Sequence, residues 1–288
     1  MDKLRFQTKT PILKGWSGDK KYCVTDELGQ KYFLRISPME RYEQRKNLQE
    51  LLLQVDKLGI PMCRPLGFGA CEEGVYRLES WINGEDAEEV IPTLSEPEQY
   101  RYGMEAGRIL KRIHSIPAPE DIPLWEERFG RKMDRYVHMY HEGSVKFEGA
   151  EYILDYIRQN RDLIKGRPQC FQHGDYHIGN MMLSEGKLYI IDFDRNDFGD
   201  PWEEFNRIVW CAQASPEMAR GMVDGYFAGN VPMEFWRLLA LYISSNTLGS
   251  MVWAPRFGEE EIKTMTRQAE DVLSWYDNMK RVIPIWYQ

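Results

Sequence analysis

Cys170–Asp194 reads CFQHGDYHIGNMMLSEGKLYIIDFD. His173, Asp175, His177, Asn180, Asp192 and Asp194 stand there among apolar residues, with very few Lys or Arg to neutralise the acids. A folded chain keeps carboxylates beside apolar surface only where they are paired or used. Gly174 and Gly179 punctuate a loop that holds Asp175 and Asn180. Ser184-Glu185-Gly186 is a tight turn, and Leu188–Phe193 (LYIIDF) reads as a strand with Asp192 at its end, facing back toward the loop. An amide and a carboxylate brought together there supply oxygen donors for Mg²⁺, which keeps waters and phosphate oxygens as its other ligands. Asp175, left free of the metal, could accept a proton from an attacking hydroxyl. That is the division of labour of kinase-type phosphoryl transfer.

Outward from this stretch, the chain separates into a strand-rich beginning and a helical remainder. Residues 11–36 alternate Tyr, Val, Phe and Ile runs with Gly turns, which predicts β-structure. Leu48, Leu51, Leu52, Val55 and Leu58 fall at helical spacing within Glu40–Gly59. Met62–Phe68 and Val75–Ile82 read as two further strands, and Asn83-Gly84 breaks the chain. Helices are expected over Glu98–His114, Ala150–Ile164, Trp202–Ala212, Glu217–Ala228, Pro232–Trp253 and Glu259–Met279. The expected domains are residues 1–82 and 83–288.

Composition bounds the function. The 288 residues carry a net charge of −8, which disfavours nucleic acid and anionic membranes as partners and suits a cationic ligand. The five cysteines form no C-x-x-C, which argues for a reducing compartment and against structural zinc. MDKLRFQTKT has no apolar run of a secretory signal, and Phe235–Ala254 is too polar for a spanning segment and reads as a buried helix. A cytoplasmic protein is expected.

HGD-x-x-x-x-N (His173 to Asn180), IDFD (Ile191–Asp194) and GDPWEEF (Gly199–Phe205) together resemble the aminoglycoside phosphotransferase and choline kinase group. The resemblance is specific over residues 170–210 and looser elsewhere. It implies an α+β, bilobal, protein-kinase-like fold with a small β-rich N-lobe and a larger, mainly helical C-lobe. It also implies that Asp175 orients or deprotonates the acceptor hydroxyl, that Asn180 and Asp192 hold Mg²⁺, and that ATP or GTP is the phosphate donor. The loop containing Ser17 would fold over the nucleotide phosphates. Arg35 stands where many relatives carry Lys, with Glu50 as its expected helical partner, and Glu79, Ser80, Trp81 and Ile82 form the expected hinge against the adenine.

Other readings remain open at this point. GDPWEEF is also a good helix start, with an Asp cap, an early Pro and acids at the positive end of the dipole. Arg35 and Glu50 could be an ordinary ion pair, and His173-x-Asp175-x-His177 could belong to a metal hydrolase. Asp197 and Glu203 are candidates for binding a cationic acceptor, plausibly an aminoglycoside antibiotic, which would make the chain a resistance enzyme. A choline, ethanolamine, homoserine or sugar kinase would share the same catalytic residues, and a nucleotide-binding protein without catalysis is the remaining alternative.

Overall fold

In Lys31–Ser37 (KYFLRIS) Leu34 and Ile36 turn to one face and Phe33 and Arg35 to the other, the two-residue period of a strand. A computed structural model of the chain describes residues 6–13 and 18–288 and places that strand third in a sheet. In chain order the elements are β1 (Thr8–Pro11), β2 (Lys20–Thr25), β3 (Lys31–Ser37), α1 (Tyr42–Lys57), β4 (Pro65–Cys71), β5 (Gly74–Ser80), β6 (Glu85–Asp86), α2 (Ala87–Val90), α3 (Glu96–Ile113), α4 (Trp125–Glu142), α5 (Ala150–Asn160), β7 (Cys170–Gln172), β8 (Met181–Ser184), β9 (Lys187–Ile190), β10 (Asp197–Gly199), α6 (Ile208–Ala214), α7 (Pro216–Phe227), α8 (Met233–Trp253) and α9 (Glu259–Trp275).

Two compact units result. The first joins the described residues up to Ala87 with Asn180–Asp194, and the second joins Glu88–Gly179 with Arg195–Gln288.

The first unit is an antiparallel sheet in the order β1-β2-β3-β5-β4. Val24, Leu34, Ile36 and Leu78 form its apolar face with Tyr22, Tyr32, Cys71 and Tyr76 against them. Helix α1 buries Leu48, Leu52 and Val55, and Gly59, at φ 66°, turns the chain after it. The β8–β9 hairpin belongs to this unit because β8 pairs with β6 and the Ile190 N–H donates to the Pro61 carbonyl at 2.9 Å.

The second unit is helical. Phe235, Leu238, Leu239, Ala240, Leu241 and Leu248 of α8 are wholly shielded from water, as expected of an apolar helix in a core. Among the described residues no helix is long and apolar enough to cross a membrane. Helix α3 begins at Glu96, ahead of the expected Glu98, because the Ser95 N–H finds the Glu98 carboxylate at 3.2 Å and completes the first turn early. Helix α4 is absent from the sequence expectations, although Trp125, Phe129 and Met133 repeat at four-residue spacing on its buried face. Glu203–Arg207, expected as ordinary helix, is a 3₁₀ turn leading into α6.

Candidate active site

The first unit gathers charge on one face of its sheet. Arg35 of β3 lies directly opposite Arg77 of β5, and Lys21 of β2 opposite Arg35. Like charges abreast on a sheet repel, so acids must intervene. Arg35 Nη2 donates to Asp192 Oδ1 at 3.2 Å, and Arg35 also pairs with Asp194 and, at 3.8 Å, with Asp19. Arg77 pairs with Glu79 at 2.8 Å and Asp194 at 3.3 Å. From α1, Arg45 reaches Asp19 at 2.5 Å, Ser37 Oγ at 2.9 Å and Asp194 at 3.3 Å. All three guanidinium groups are buried. Burial pushes Arg45 and Arg77 downward from the usual arginine range, against the pull of their acids.

This network accounts for an arginine at position 35. A guanidinium offers several fixed donors and can bridge more than one carboxylate, whereas an ammonium is a point charge. It also shows why Glu50 stands apart. Five residues along a helix is a rotation of about 140° from Arg45, so with Arg45 turned onto the sheet Glu50 is exposed. Arg35 meets aspartates instead.

The base of the β8–β9 hairpin places the backbone of Asn180 across from the residue before Asp192. The pairing of Met181 with Ile190 is extended by the Ile191 N–H donating to the Asn180 carbonyl at 3.0 Å. The next residue, Asp192, adopts a left-handed φ of 63°, which ends the strand short of the expected Phe193 and leaves its carboxylate partly open to water. Among the described residues no three His, Cys, Asp or Glu side chains converge into a metal-holding group. Mg²⁺ needs none, since one carboxylate and one amide oxygen suit it once phosphate and water complete the shell. The donor set therefore fits that ion. Of the hinge candidates, Glu79 turns its buried side chain to Arg77, and Ser80 exchanges hydrogen bonds with the Arg64 backbone, its N–H donating at 2.9 Å and its Oγ accepting at 2.8 Å. Trp81 and Ile82 follow the end of β5. Ser17 lies outside the described residues.

The second unit carries the HGD loop. His173 is fully buried and its Nδ1 faces the Asp175 N–H at 3.3 Å. Glu204 accepts from the His173 N–H at 2.6 Å and the Gly174 N–H at 2.8 Å. Gly174 has φ 84°, and a Cβ there would run into the Arg195 carbonyl, so only glycine fits. Below the loop, Asp200 is fully buried and takes both Arg167 donors, at 2.7 and 3.1 Å, and the Tyr242 hydroxyl at 2.6 Å. Its Oδ1 also accepts from the Trp202 N–H at 2.9 Å, so the capping expected of Asp200 survives within a larger role.

Asp175 itself is partly buried. Burial works against its charged form, but a hydrogen bond from His177 and the charges of Arg207 and Arg195 overcome it and hold the carboxyl far below the usual range. Arg207 Nε lies 3.3 Å from Oδ1 and Arg195 Nε 3.7 Å from Oδ2. Neither arginine was among the residues expected from sequence, nor were Arg167 or Tyr242, and Glu204, expected as a helix-start acid, instead accepts from the loop backbone. Asp197 and Glu203, the expected acceptor residues, are engaged within the fold. Arg128 forks Asp197 at 3.0 Å to both oxygens, and buried Glu203 meets Lys132 at 3.0 Å and Gln172 at 3.2 Å.

A sequence profile of the phosphotransferase enzyme family matches residues 8–238, and the chain belongs to that family. Its fold is the protein-kinase-like fold of the aminoglycoside phosphotransferases. The ADP-bound aminoglycoside phosphotransferase APH(2'')-Ib superposes with a TM-score of 0.64 at 16% identity, covering 93% of this chain and 95% of that one. An amicoumacin kinase in complex with AMP-PNP and Ca²⁺ gives 0.64 at 16% identity, over 97% of this chain and 91% of that one. A glucosamine kinase of Streptacidiphilus jiangxiensis is 27% identical over 100 residues, which are 31% of this chain and 23% of that protein's length. The chain thus aligns with less than a quarter of that curated relative.

Proposed function

We propose that this chain is a phosphotransferase that moves the γ-phosphate of ATP or GTP to a hydroxyl of a small molecule in the reducing setting of the cytoplasm. The observation that carries this reading is the setting of Asp175: on a loop braced by Glu204, beside Arg207, Arg195 and His177, and followed in the chain by a hairpin whose base holds Asn180 and Asp192. In the reaction the acceptor O–H gives its proton to Asp175. Its oxygen bonds to the γ-phosphorus as the bond from that phosphorus to the β,γ-bridging oxygen breaks, and the nucleoside diphosphate leaves with the electron pair. Asn180 and Asp192 would hold Mg²⁺, which when bound neutralises phosphate charge. Arg35 steers the phosphates, and the backbone after β5 receives the base.

The relatives' names include an aminoglycoside phosphotransferase and a glucosamine kinase, so amino sugars, antibiotics among them, head the acceptors to test. Nucleotide consumption should depend on an added acceptor and fall about 100- to 10,000-fold in Asp175→Asn, with nucleotide binding unchanged. Acceptor-dependent turnover that survives in Asp175→Asn removes that residue from the mechanism.

A further inference from the structure

The charges around Asp175 are the reverse of what a polycationic acceptor needs. The acids that flank the loop in sequence each have a partner within the second unit: Asp197, still 60% exposed, on Arg128, Glu203 on Lys132 and Gln172, Glu204 on two backbone N–H groups, Asp200 on Arg167 and Tyr242. What faces Asp175 instead is Arg207, Arg195 and His177. His177 Nδ1 accepts the Gly179 N–H at 3.1 Å, which leaves its Nε2 on the Asp175 side, 3.7 Å from Oδ1. One carboxylate therefore meets two permanent cations, and Glu88, a further acid near this loop, lies beside Gly179.

The accessibility of the two arginines matters as much as their charge. The Arg195 side chain is 50% exposed and that of Arg207 23% exposed. Both approach Asp175 through Nε, and each guanidinium carries two Nη groups besides, in the flat fork that matches a carboxylate or phosphate. Two partly exposed arginines are more than one carboxylate needs for its own positioning.

We propose that Arg207 and Arg195 form an oxyanion subsite for the acceptor, which carries a carboxylate or a phosphate monoester close to the hydroxyl that is phosphorylated. This rests on the assignment of Asp175 as the base, because that assignment puts the acceptor hydroxyl beside these arginines. The triphosphate is the other anion they could meet, but in the proposed reaction its charge already falls to Arg35 and Mg²⁺. The acceptor class becomes hydroxy acids, sugar acids and sugar phosphates, with an amine permitted and an anion required.

The test is nucleotide consumption by the parent over matched acceptors: gluconate, glycerate, homoserine and ribose phosphate against glucose, glycerol, ribose, glucosamine, ethanolamine and an aminoglycoside. Turnover should favour the anionic members, and the better of carboxylate and phosphate identifies the natural group. Arg207→Gln should raise the KM of the preferred anionic acceptor about 10- to 100-fold, the range of a lost charge-assisted hydrogen bond, and leave nucleotide KM in place. Arg207→Lys should recover part of the loss. Arg195→Gln, at the more exposed position, repeats the test without disturbing the fold. Turnover confined to neutral or amine acceptors overturns the subsite and leaves the base standing. A rise in nucleotide KM equal to that in acceptor KM assigns the arginines to the triphosphate and also overturns it. Absence of turnover with every acceptor, in a protein that binds nucleotide, overturns both the subsite and the phosphotransfer reading.

Discussion

Asp175 shows how a carboxylate is kept ready at neutral pH. Its desolvation is outweighed by His177, Arg207 and Arg195, so its folded pKa lies below that of an unfolded aspartate. The sign follows from linkage. A group depressed on folding contributes stability above its unfolded value, about 3.9 for Asp, and loses it as pH falls toward the folded value. Denaturant unfolding of the parent and of Asp175→Asn should therefore show a stability gap at pH 7 that narrows below about pH 4; a gap independent of pH contradicts the pairing. The second residue-scale expectation concerns the proposed metal ligands. Asp192→Ala should weaken binding of the Mg²⁺–nucleotide complex more than Asn180→Ala, since the charged ligand carries more of the attraction. Calorimetric titration with a non-hydrolysable nucleotide and Mg²⁺ reads this directly, and unchanged affinity in Asp192→Ala rejects the assignment. Arg35→Ala has two expected consequences, because it removes the proposed phosphate contact and leaves Asp192 and Asp194 short of a buried cation. It should raise nucleotide KM and also lower stability, and Arg35→Lys should restore only part of either, a compact ammonium matching the two acids less well than the planar guanidinium fork.

At the scale of elements, α3 and α7 pack backbone against backbone. Gly103 and Gly107 on one helix and Gly221 and Gly225 on the other have the four-residue spacing that aligns a groove along each. A Cβ on Gly107 would run into the Met222 carbonyl, and one on Gly225 into that of Met104. The obstacle is main chain on both sides, so it cannot swing aside. Gly107→Ala should cost about 3 kcal/mol, read as a lower urea midpoint with an unchanged slope; a cost near zero means the helices separate freely. Below the catalytic loop, Tyr242→Phe removes a buried hydrogen bond to the charged Asp200 and should cost about 2 kcal/mol. Elements with strong period or punctuation were legible in sequence: α1 from its leucines and Gly59, α8 from an apolar stretch that Arg237, three serines and Asn246 mark as a buried helix rather than a spanning one. Helix α4 was not, because WEERFGRKMDRYVHMYHE mixes its buried aromatics with charge at nearly every other position. The 3₁₀ turn at Glu203–Arg207 escaped notice for a related reason. Its acids look like helix-start residues, whereas Glu204 is drawn away to the His173 and Gly174 N–H groups.

Across the whole molecule, the fold and the family were readable because HGD-x-x-x-x-N and IDFD fix both a loop and a hairpin at short spacing. Chain-local groupings such as Asn180 with Asp192 could be inferred from one hairpin. Groupings that depend on distant segments could not. Arg167 lies 33 positions from Asp200, and Arg45 is 26 positions from Asp19. The acidic surplus near the loop illustrates the same limit: counted along the chain it suggests a cation site, and in three dimensions Asp197 and Glu203 also have Arg128 and Lys132 as partners. Charge counted in sequence also leaves out Arg195 and Arg207, which the structure places beside Asp175. The central claim is that Asp175 takes the proton of an acceptor hydroxyl during phosphoryl transfer from a nucleotide. Its most direct test is single-turnover transfer from ATP and from GTP, with Mg²⁺, to the best acceptor of the matched panel, comparing the parent with Asp175→Asn at saturating nucleotide. The account predicts rapid formation of phosphorylated acceptor by the parent and a rate about 100- to 10,000-fold lower in the variant, with nucleotide affinity equal in the two. Equal transfer rates in parent and variant would contradict it.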